Sequence, residues 1–498
     1  MSEMKILFIV WDIDYIDSVG LMQISALARQ AGHTIGLGIL SRENVMAIIQ
    51  RDAPDVIAYS GSTGEHKYYI EFNERLKAAH PGVFTVMGGP HVTFFPETLR
   101  ISTLDAICIG EGDEAFTELL AALENGHDIT NIPNIVTRQG GNTDLRPLKE
   151  DLDSLPFPDR ELFYTTTEMR GWPLKSFMAS RGCPYYCTYC FNHVFRQMYH
   201  NKGRIVRRHS VDYIVEEVAR VKEKYPLQVV KFYDDVFTYR SDDWLEEFAV
   251  KFRRRIGLPF HCLTRADLMT EDMARMLKAA GCHSISMSIE AGNERFRNEV
   301  LQRNMQENDI IRAFDICRRR GIHTFSNSIL GLPRATLQNE IETIELNIRA
   351  GASYSEFPIF HPYPCTKLGD YCIKEGIYRP TYSELHMSYM NESPLTCFSE
   401  SEKNVQRNLS ALGPLMVWLP FTRKFIYRWL LPLPFNRFYF ILYYLVKAYL
   451  NKSRIYPMKL GFRGFWKIAQ KSWHLESFRK ISEPANIIGH VKAEKAGS

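Results

Sequence analysis

The chain has 498 residues and a formal net charge of +4, with 45% hydrophobic, 24% charged and 12% aromatic residues, so two or three globular domains are expected. No uncharged apolar run reaches the roughly 18–20 residues of a membrane span, which excludes a transmembrane helix from the expected elements. The ten cysteines follow no framework of paired spacings, and Met1-Ser2-Glu3 leads straight into a strand-like run, so no signal peptide and a reducing cytoplasm are expected.

Residues 4–10 form a short apolar run that reads as a strand, and 21–31 follow as a helix ending at Gly32-His33. The unit repeats with strands at 56–59, 83–87 and 106–109 and helices at 66–79 and 113–124. Strands apolar throughout and alternating with helices imply a parallel sheet covered on both faces. The α/β fold class follows, with a doubly wound, Rossmann-like (flavodoxin-like) domain over 1–135. Residues 136–175, punctuated by Pro147, Pro156, Pro158 and Pro173, read as a linker wrapping between domains. From 176, strands are expected at 176–180, 228–233, 259–263, 284–289, 323–329 and 354–360, which suggests a partial (βα)6 TIM-like barrel over 176–380. Residues 381–498 read as a helical region rich in aromatic and basic residues.

The segment Ser180-Arg181-Gly182-Cys183-Pro184-Tyr185-Tyr186-Cys187-Thr188-Tyr189-Cys190-Phe191-Asn192 follows the first barrel strand. Three thiolates can hold three irons of a cubane and leave the fourth iron open. A structural zinc site, which wants four ligands, is the alternative, with His193 as the fourth. The C-x3-C-x2-C spacing, with Tyr189 before the last cysteine, resembles the radical SAM (S-adenosylmethionine) superfamily. The resemblance implies a [4Fe–4S] cluster on Cys183, Cys187 and Cys190, whose open iron binds SAM and cleaves it to a 5′-deoxyadenosyl radical.

It extends across about 176–370. Phe232-Tyr233-Asp234-Asp235-Val236-Phe237 is similar to the family's second strand, with its acidic end pointing into the barrel, and Ser286–Glu294 to its fourth strand and following turn. By that resemblance Tyr189, Asp234, Glu290 and Arg303 are SAM-binding candidates, the arginine because its planar fork suits a carboxylate. The alternatives are a helix cap for Asp234 and Asp235 and a solvated charge for Arg303. Asn327, on the fifth strand, is a weaker candidate that reads equally as a buried amide.

The amino-terminal domain resembles the cobalamin-binding domains of B12-dependent radical SAM enzymes. The residues that carry this are Ser60-Gly61-Ser62, Gly88-Gly89-Pro90-His91 and Gly110-Glu111-Gly112, each after a strand. Ser60, Ser62, Gly88, Gly89, Gly110 and Glu111 are thereby cobalamin-binding candidates, because small residues let a nucleotide tail approach the backbone. An ordinary flavodoxin-like sheet with locally glycine-rich turns is the alternative. The loop from Trp11 to Gly20 contains no histidine, so bound cobalamin is expected to lack a histidine ligand, with His91 a remote candidate. A methylthiotransferase would need a second cysteine cluster here, and only Cys108 is present.

Pro362-Tyr363-Pro364-Cys365-Thr366 resembles the family's Pro-Tyr-Pro-Gly-Thr signature with cysteine in place of glycine. Cys365 is therefore a candidate catalytic thiol, or a small apolar filler. Between 411 and 480, thirteen Lys and Arg residues face the single acid Glu476, interleaved with aromatics from Trp418 to Tyr444. Membrane-interface contact and a helical cap over the barrel mouth both suit this segment. The run Leu430-Leu431-Pro432-Leu433-Pro434 is too greasy for a nucleic-acid groove.

Together these resemblances imply a cobalamin-dependent radical SAM C-methyltransferase acting on a hydrophobic or lipid-like small molecule, supplied with electrons by a flavodoxin or ferredoxin. A radical cyclase similar to the anaerobic magnesium-protoporphyrin ester cyclases is the alternative enzyme, and a non-catalytic metal-bound membrane or nucleic-acid adaptor the alternative class.

Overall fold

The structure is a computed structural model and describes residues 3–13, 16–141, 144–363, 365–380 and 392–459. The first sheet contains β1 (Lys5–Val10), β2 (Thr34–Ile39), β3 (Val56–Ser60), β4 (Phe84–Gly88), β5 (Ala106–Cys108) and β6 (Ile135–Thr137), in the order β2-β1-β3-β4-β5-β6. All neighbours are parallel except β5 and β6. Strand order reverses at β1, so the carboxyl edge beside β1 and β3 is where an open α/β sheet forms its crevice.

The expected strands and helices of this domain are present, and β2 and β6 are additions. In β2, Gly36 and Gly38 break the apolar run because neighbours fill their places: a Cβ on either would lie 3.1 Å from Leu7 or Val45. β6 is a three-residue antiparallel edge, too short to carry a periodic signal.

The second sheet is wholly parallel. Its strands are β7 (Leu174–Phe177), β10 (Val229–Phe232), β11 (Phe260–Leu263), β12 (Cys282–Ser286), β13 (His323–Asn327) and β14 (Tyr354–Glu356), in the order β14-β13-β12-β11-β10-β7. β8 (Ser180–Arg181) and β9 (Arg207–Arg208) form a separate ribbon at the start of the cysteine motif. Six parallel strands with helices outside make the expected partial barrel, open at β7 and β14.

Both open edges are covered, as an unpaired strand requires. At β7 the Ser176 amide donates to Asp17 Oδ2 at 2.6 Å, from the loop after β1. At the other edge the helix Glu400–Trp418 lies along β14, where Ser410 Oγ donates to the Phe357 carbonyl at 2.6 Å. That helix starts with a capping box of Ser399 and Glu402, which satisfies two of its orphan amides.

Among the described residues the segment from 411 to 459 does not cap the barrel mouth, unlike one of the two expectations for it. After the helix Arg437–Leu450 the chain turns under the opposite end. There Arg454 Nη1 donates to the Ser353 carbonyl at 3.1 Å, and the Lys459 amide to Gln228 Oε1 at 2.8 Å, both partners immediately preceding a strand. The basic residues from Arg463 onward, and Glu476, lie outside the described residues.

Candidate active site at the carboxyl ends of the barrel strands

Cys183, Cys187 and Cys190 lie in the loop that follows β8, with Cys187 buried and the other two half-buried. Burial holds the Cys183 thiol up at about 11 and Cys190 at about 12, so ionising them calls for a metal or nearby donors. Donors are present. Arg265 Nη1 and Arg303 Nη1 each lie 3.8 Å from Cys187 Sγ, and Asn192 Nδ2 lies 3.6 Å from Cys190 Sγ.

Among the described residues no group of three or more His, Cys, Asp or Glu side chains converges on a single ion. A cubane needs no such convergence, because each thiolate takes its own iron. His193 is also committed elsewhere: Nδ1 faces the Cys187 carbonyl at 3.1 Å, and Nε2 accepts the Lys367 amide at 3.2 Å. With both ring nitrogens engaged and burial pulling the ring below its ordinary pKa, His193 fastens the loop to the helix Lys367–Lys374 and offers no fourth zinc ligand. The donor set therefore fits a [4Fe–4S] cluster, which supplies an electron to SAM when bound.

The candidates Tyr189, Glu290 and Arg303 meet beside Cys187. The Tyr189 hydroxyl donates to Glu290 Oε1 at 2.8 Å, and Arg303 Nη1 lies 3.4 Å from the same hydroxyl. Arg303 Nη2 donates to the Ser288 carbonyl at 2.8 Å, which holds the guanidinium under the Glu290 turn. Burial raises the Glu290 carboxyl above its ordinary pKa, with Arg303 and the Tyr189 hydroxyl pulling against it. Glu290 sits at φ 65°, a left-handed backbone that is rare for a non-glycine residue and turns the strand end toward the site.

Arg265, in the turn after β11, was not among the candidates. Its guanidinium stacks on Tyr185 at 3.7 Å, donates to the Arg303 carbonyl at 2.6 Å and pairs with Asp267 at 3.0 Å. Nothing in its local sequence marks it; its only signal is a position at the end of a barrel strand. A cavity of about 450 Å³ adjoins the loop, lined in part by Tyr185, Arg265, Asp267 and Arg303.

Asp234 is bonded within the chain. Its carboxyl accepts the Ser180 hydroxyl at 2.6 Å and is buried, with its pKa raised to about 7 by desolvation, so it braces the entry to the cysteine loop. The strand's period of two explains the placement. Phe232 packs outward against Phe248 and Phe252, and Asp234 shares its parity, whereas Lys231, Tyr233 and Asp235 alternate to the inner side. Asp235 is the exposed acid, and Asn192 Nδ2 links it at 2.9 Å to the Cys190 side of the loop. Asn327 is half-buried, and its carbonyl takes the Ile289 and Glu290 amides at 3.1 and 3.2 Å.

Cys365 is exposed at φ 61°, the conformation that makes glycine the usual choice at such a position. Its thiol donates to the Phe94 carbonyl of the amino-terminal domain at 3.0 Å, and burial with Asp370 and Glu97 nearby raises its pKa.

In the amino-terminal domain Ser60, Ser62, Gly88 and Gly89 gather at the carboxyl edge of β3 and β4. Gly89 has φ 94°, and a Cβ there would lie 2.9 Å from Gly61 N and O, so the two turns touch backbone to backbone. The edge that results offers hydroxyls and amides without bulky side chains, which fits a cobalamin tail. His91 Nδ1 and Nε2 bond the hydroxyls of Thr63 at 3.1 Å and Thr98 at 3.0 Å, and the ring stacks on His66 at 3.6 Å. Burial pulls His91 down to about 3, so it stays neutral with both nitrogens occupied and is no cobalt ligand.

Gly110 and Glu111 are contacted by the barrel. A Cβ on Gly110 would fall on the Tyr199 hydroxyl, and that hydroxyl accepts the Glu111 amide at 3.0 Å. The Glu111 carboxylate takes Arg207 at 2.6 and 2.9 Å, and Asp113 takes Arg181 at 2.6 and 3.1 Å. Burial alone would raise the Asp113 carboxyl; Arg181 overrides it and holds the carboxyl below its usual range. Arg181 lies two residues before Cys183, so this contact grips the cluster loop.

Residues 178–346 match the Radical SAM superfamily, and residues 14–120 match the B12 binding domain. An uncharacterized methyltransferase of Pyrococcus horikoshii is 28% identical over 72% of this chain and 79% of its own. The hopanoid C-3 methylase of Methylococcus capsulatus is 26% identical, covering 60% and 59%, and the anaerobic magnesium-protoporphyrin IX monomethyl ester cyclase of Synechocystis 23%, covering 56% and 58%. The solved structure of the cobalamin-dependent S-adenosylmethionine radical enzyme OxsB superimposes with a TM-score of 0.64 at 16% identity, over 96% of this chain and 76% of OxsB. With the three-cysteine loop and the doubly wound domain in place, this chain is a radical SAM enzyme with a B12-binding domain, and [4Fe–4S], SAM and cobalamin are its cofactors.

Proposed function

We propose that this enzyme transfers a methyl group to an unactivated carbon of a hydrophobic or lipid-like substrate and meets that substrate at a membrane surface. When bound, the cluster and SAM supply a carbon-centred radical and cobalamin a methyl group. The chain's own part is to hold the cluster loop with Arg265 and His193, to hold Arg303 and Tyr189 around Glu290, and to close the contact between the two domains. Methyl transfer is supported by the methyltransferases among the relatives, and a lipid-like substrate by the hopanoid methylase. The cyclase relative favours a second reading, ring closure. Product mass decides: anaerobic turnover that adds one methylene supports transfer, and loss of hydrogen without added carbon supports the cyclase.

The carrying observation for the membrane is the outer face of the carboxyl-terminal helices. Among the described residues, eight of the fifteen exposed large hydrophobic side chains fall between 421 and 449, and seven of these form two stripes. Phe421, Phe425 and Trp429 recur every four residues; Phe438, Ile441, Leu445 and Tyr449 follow at three and four. The opposite faces, with Ile426, Tyr439, Phe440, Tyr443 and Leu450, are already buried in the protein, so packing does not explain the stripes.

No acidic residue occurs between 403 and 459, while Lys424, Arg428, Arg437 and Lys452 flank the stripes and form no ion pair among the described residues. Each apolar side chain moved out of water contributes about 1.5–3 kcal/mol and each cation near an anionic leaflet about 1 kcal/mol. Among the described residues no helix is long and apolar enough to cross a membrane. Flotation with phosphatidylserine-containing vesicles should carry the protein upward, and Phe425→Ser with Trp429→Ser should leave it at the bottom. Recovery of the unaltered protein only in the soluble fraction, with both anionic and neutral vesicles, would refute the membrane contact.

A further inference from the structure

The inner face of the barrel is polar where barrels are ordinarily filled by Val, Ile and Leu. Strand register sets Ser176, Lys231, His261, Ser284 and His323 side by side in one row across β7, β10, β11, β12 and β13. Two of these five residues are satisfied within the chain. The His261 ring nitrogens bond Ser284 Oγ at 2.7 Å and Ser286 Oγ at 3.1 Å, and Ser284 Oγ donates to the Ile455 carbonyl at 2.7 Å.

Lys231 and Ser176 are not. Lys231 is 9% exposed, and its ammonium has no hydrogen-bond acceptor among the described residues; it lies only over the ring faces of Tyr233 at 4.5 Å and Tyr456 at 5.7 Å. Ser176, its register partner, is fully buried with an unpartnered hydroxyl. Glu356, the acid facing this row from β14, is engaged by the Tyr354 hydroxyl at 2.6 Å and Lys447 Nζ at 3.1 Å. A buried ammonium without an anion costs several kcal/mol, and such a cost is kept in an enzyme barrel where a ligand compensates it.

We propose that the Lys231 ammonium and the Ser176 hydroxyl receive a carboxylate or phosphate oxygen of the substrate inside the barrel, between Tyr233 and Tyr456. The substrate class is then an amphiphile with an acidic head, its apolar body running toward the mouth past Tyr233, which is 49% exposed. The amphiphile rests on the hydrophobic-substrate reading above; the anion site does not. Burial lowers Lys231 to about 8 while Glu356 pulls the other way, so the amine is still charged at neutral pH.

Two arms test this on the anaerobically reconstituted holoenzyme. In the first, hexadecanoate and hexadecyl phosphate should each bind at least tenfold tighter than hexadecanol. Lys231→Met should bring that ratio to about one and Lys231→Arg should keep most of it. In the second, inorganic phosphate should slow acetylation of the Lys231 amine, read by peptide mass spectrometry, at least fivefold. Phosphate protection without binding of either long-chain anion leaves the anion site standing and sinks the apolar-substrate reading. A ratio near one when the unaltered protein binds the long-chain anions and hexadecanol alike, a ratio that survives Lys231→Met, or absence of phosphate protection each overturns the site. Lys231→Met also removes a buried unpartnered charge, so its melting temperature should not fall, and a misfolded variant is distinguished by that measurement.

Discussion

Arg265 and Cys365 stand at the carboxyl ends of the barrel strands in opposite ways, one by its many bonds and the other by its backbone. The guanidinium of Arg265 is a planar fork that serves Asp267, the Arg303 carbonyl and Cys187 Sγ together, so lysine cannot replace it. Arg265→Lys should retain cluster iron, lower the cluster midpoint potential because an N–H donor to sulfur is lost, and slow 5′-deoxyadenosine formation by about tenfold or more. Electron paramagnetic resonance with a redox titration and a product assay measure both. Cys365 pays for its side chain with a left-handed backbone, and Cys365→Gly should raise stability by about 1 kcal/mol in thermal unfolding. Methylation that persists in this variant assigns the thiol to packing, and methylation lost at retained fold assigns it to the chemistry.

The strand and helix elements explain where local sequence is a reliable guide. Ser180–Asn192 is legible because three cysteines at fixed spacing need no tertiary information to be recognised, whereas the partner of Asp234, the Ser180 hydroxyl, comes from a distant part of the chain. The helix Leu337–Ala350 carries a buried acid, Glu340, whose Oε1 accepts the Gly331 amide at 2.9 Å and faces Gln406 Nε2 at 3.4 Å, while Oε2 has no partner. Desolvation raises its pKa to about 7. Between about 4.5 and 7 the folded state therefore keeps a proton that the unfolded chain has lost, and stability falls as pH rises through that window, by up to about 3 kcal/mol. Glu340→Gln should flatten this decline in denaturant unfolding at pH 5 and pH 7.5.

Across the whole molecule the two sheets are joined through the cluster loop. Arg181 and Arg207 on the ribbon beside Cys183 hold Asp113 and Glu111 of the amino-terminal domain, and Asp17 of that domain closes the β7 edge. Arg181→Met alone should cost about 3 kcal/mol, because it strands a buried carboxylate. The pair Arg181→Met with Asp113→Asn should cost less than the sum of the two single changes, which a double-mutant cycle by thermal unfolding measures. The sequence by itself determined the alternation of strands and helices, the three-cysteine motif and the absence of a histidine in the first loop, because each is written in local spacing. Only the tertiary structure decided that Glu111 grips the barrel, that Arg265 reaches the Cys187 sulfur, that Asp235 rather than Asp234 faces the loop, and that the aromatic helices leave one face bare. Those outcomes depend on strand register and on which surfaces meet, and residues far apart in the chain specify them jointly.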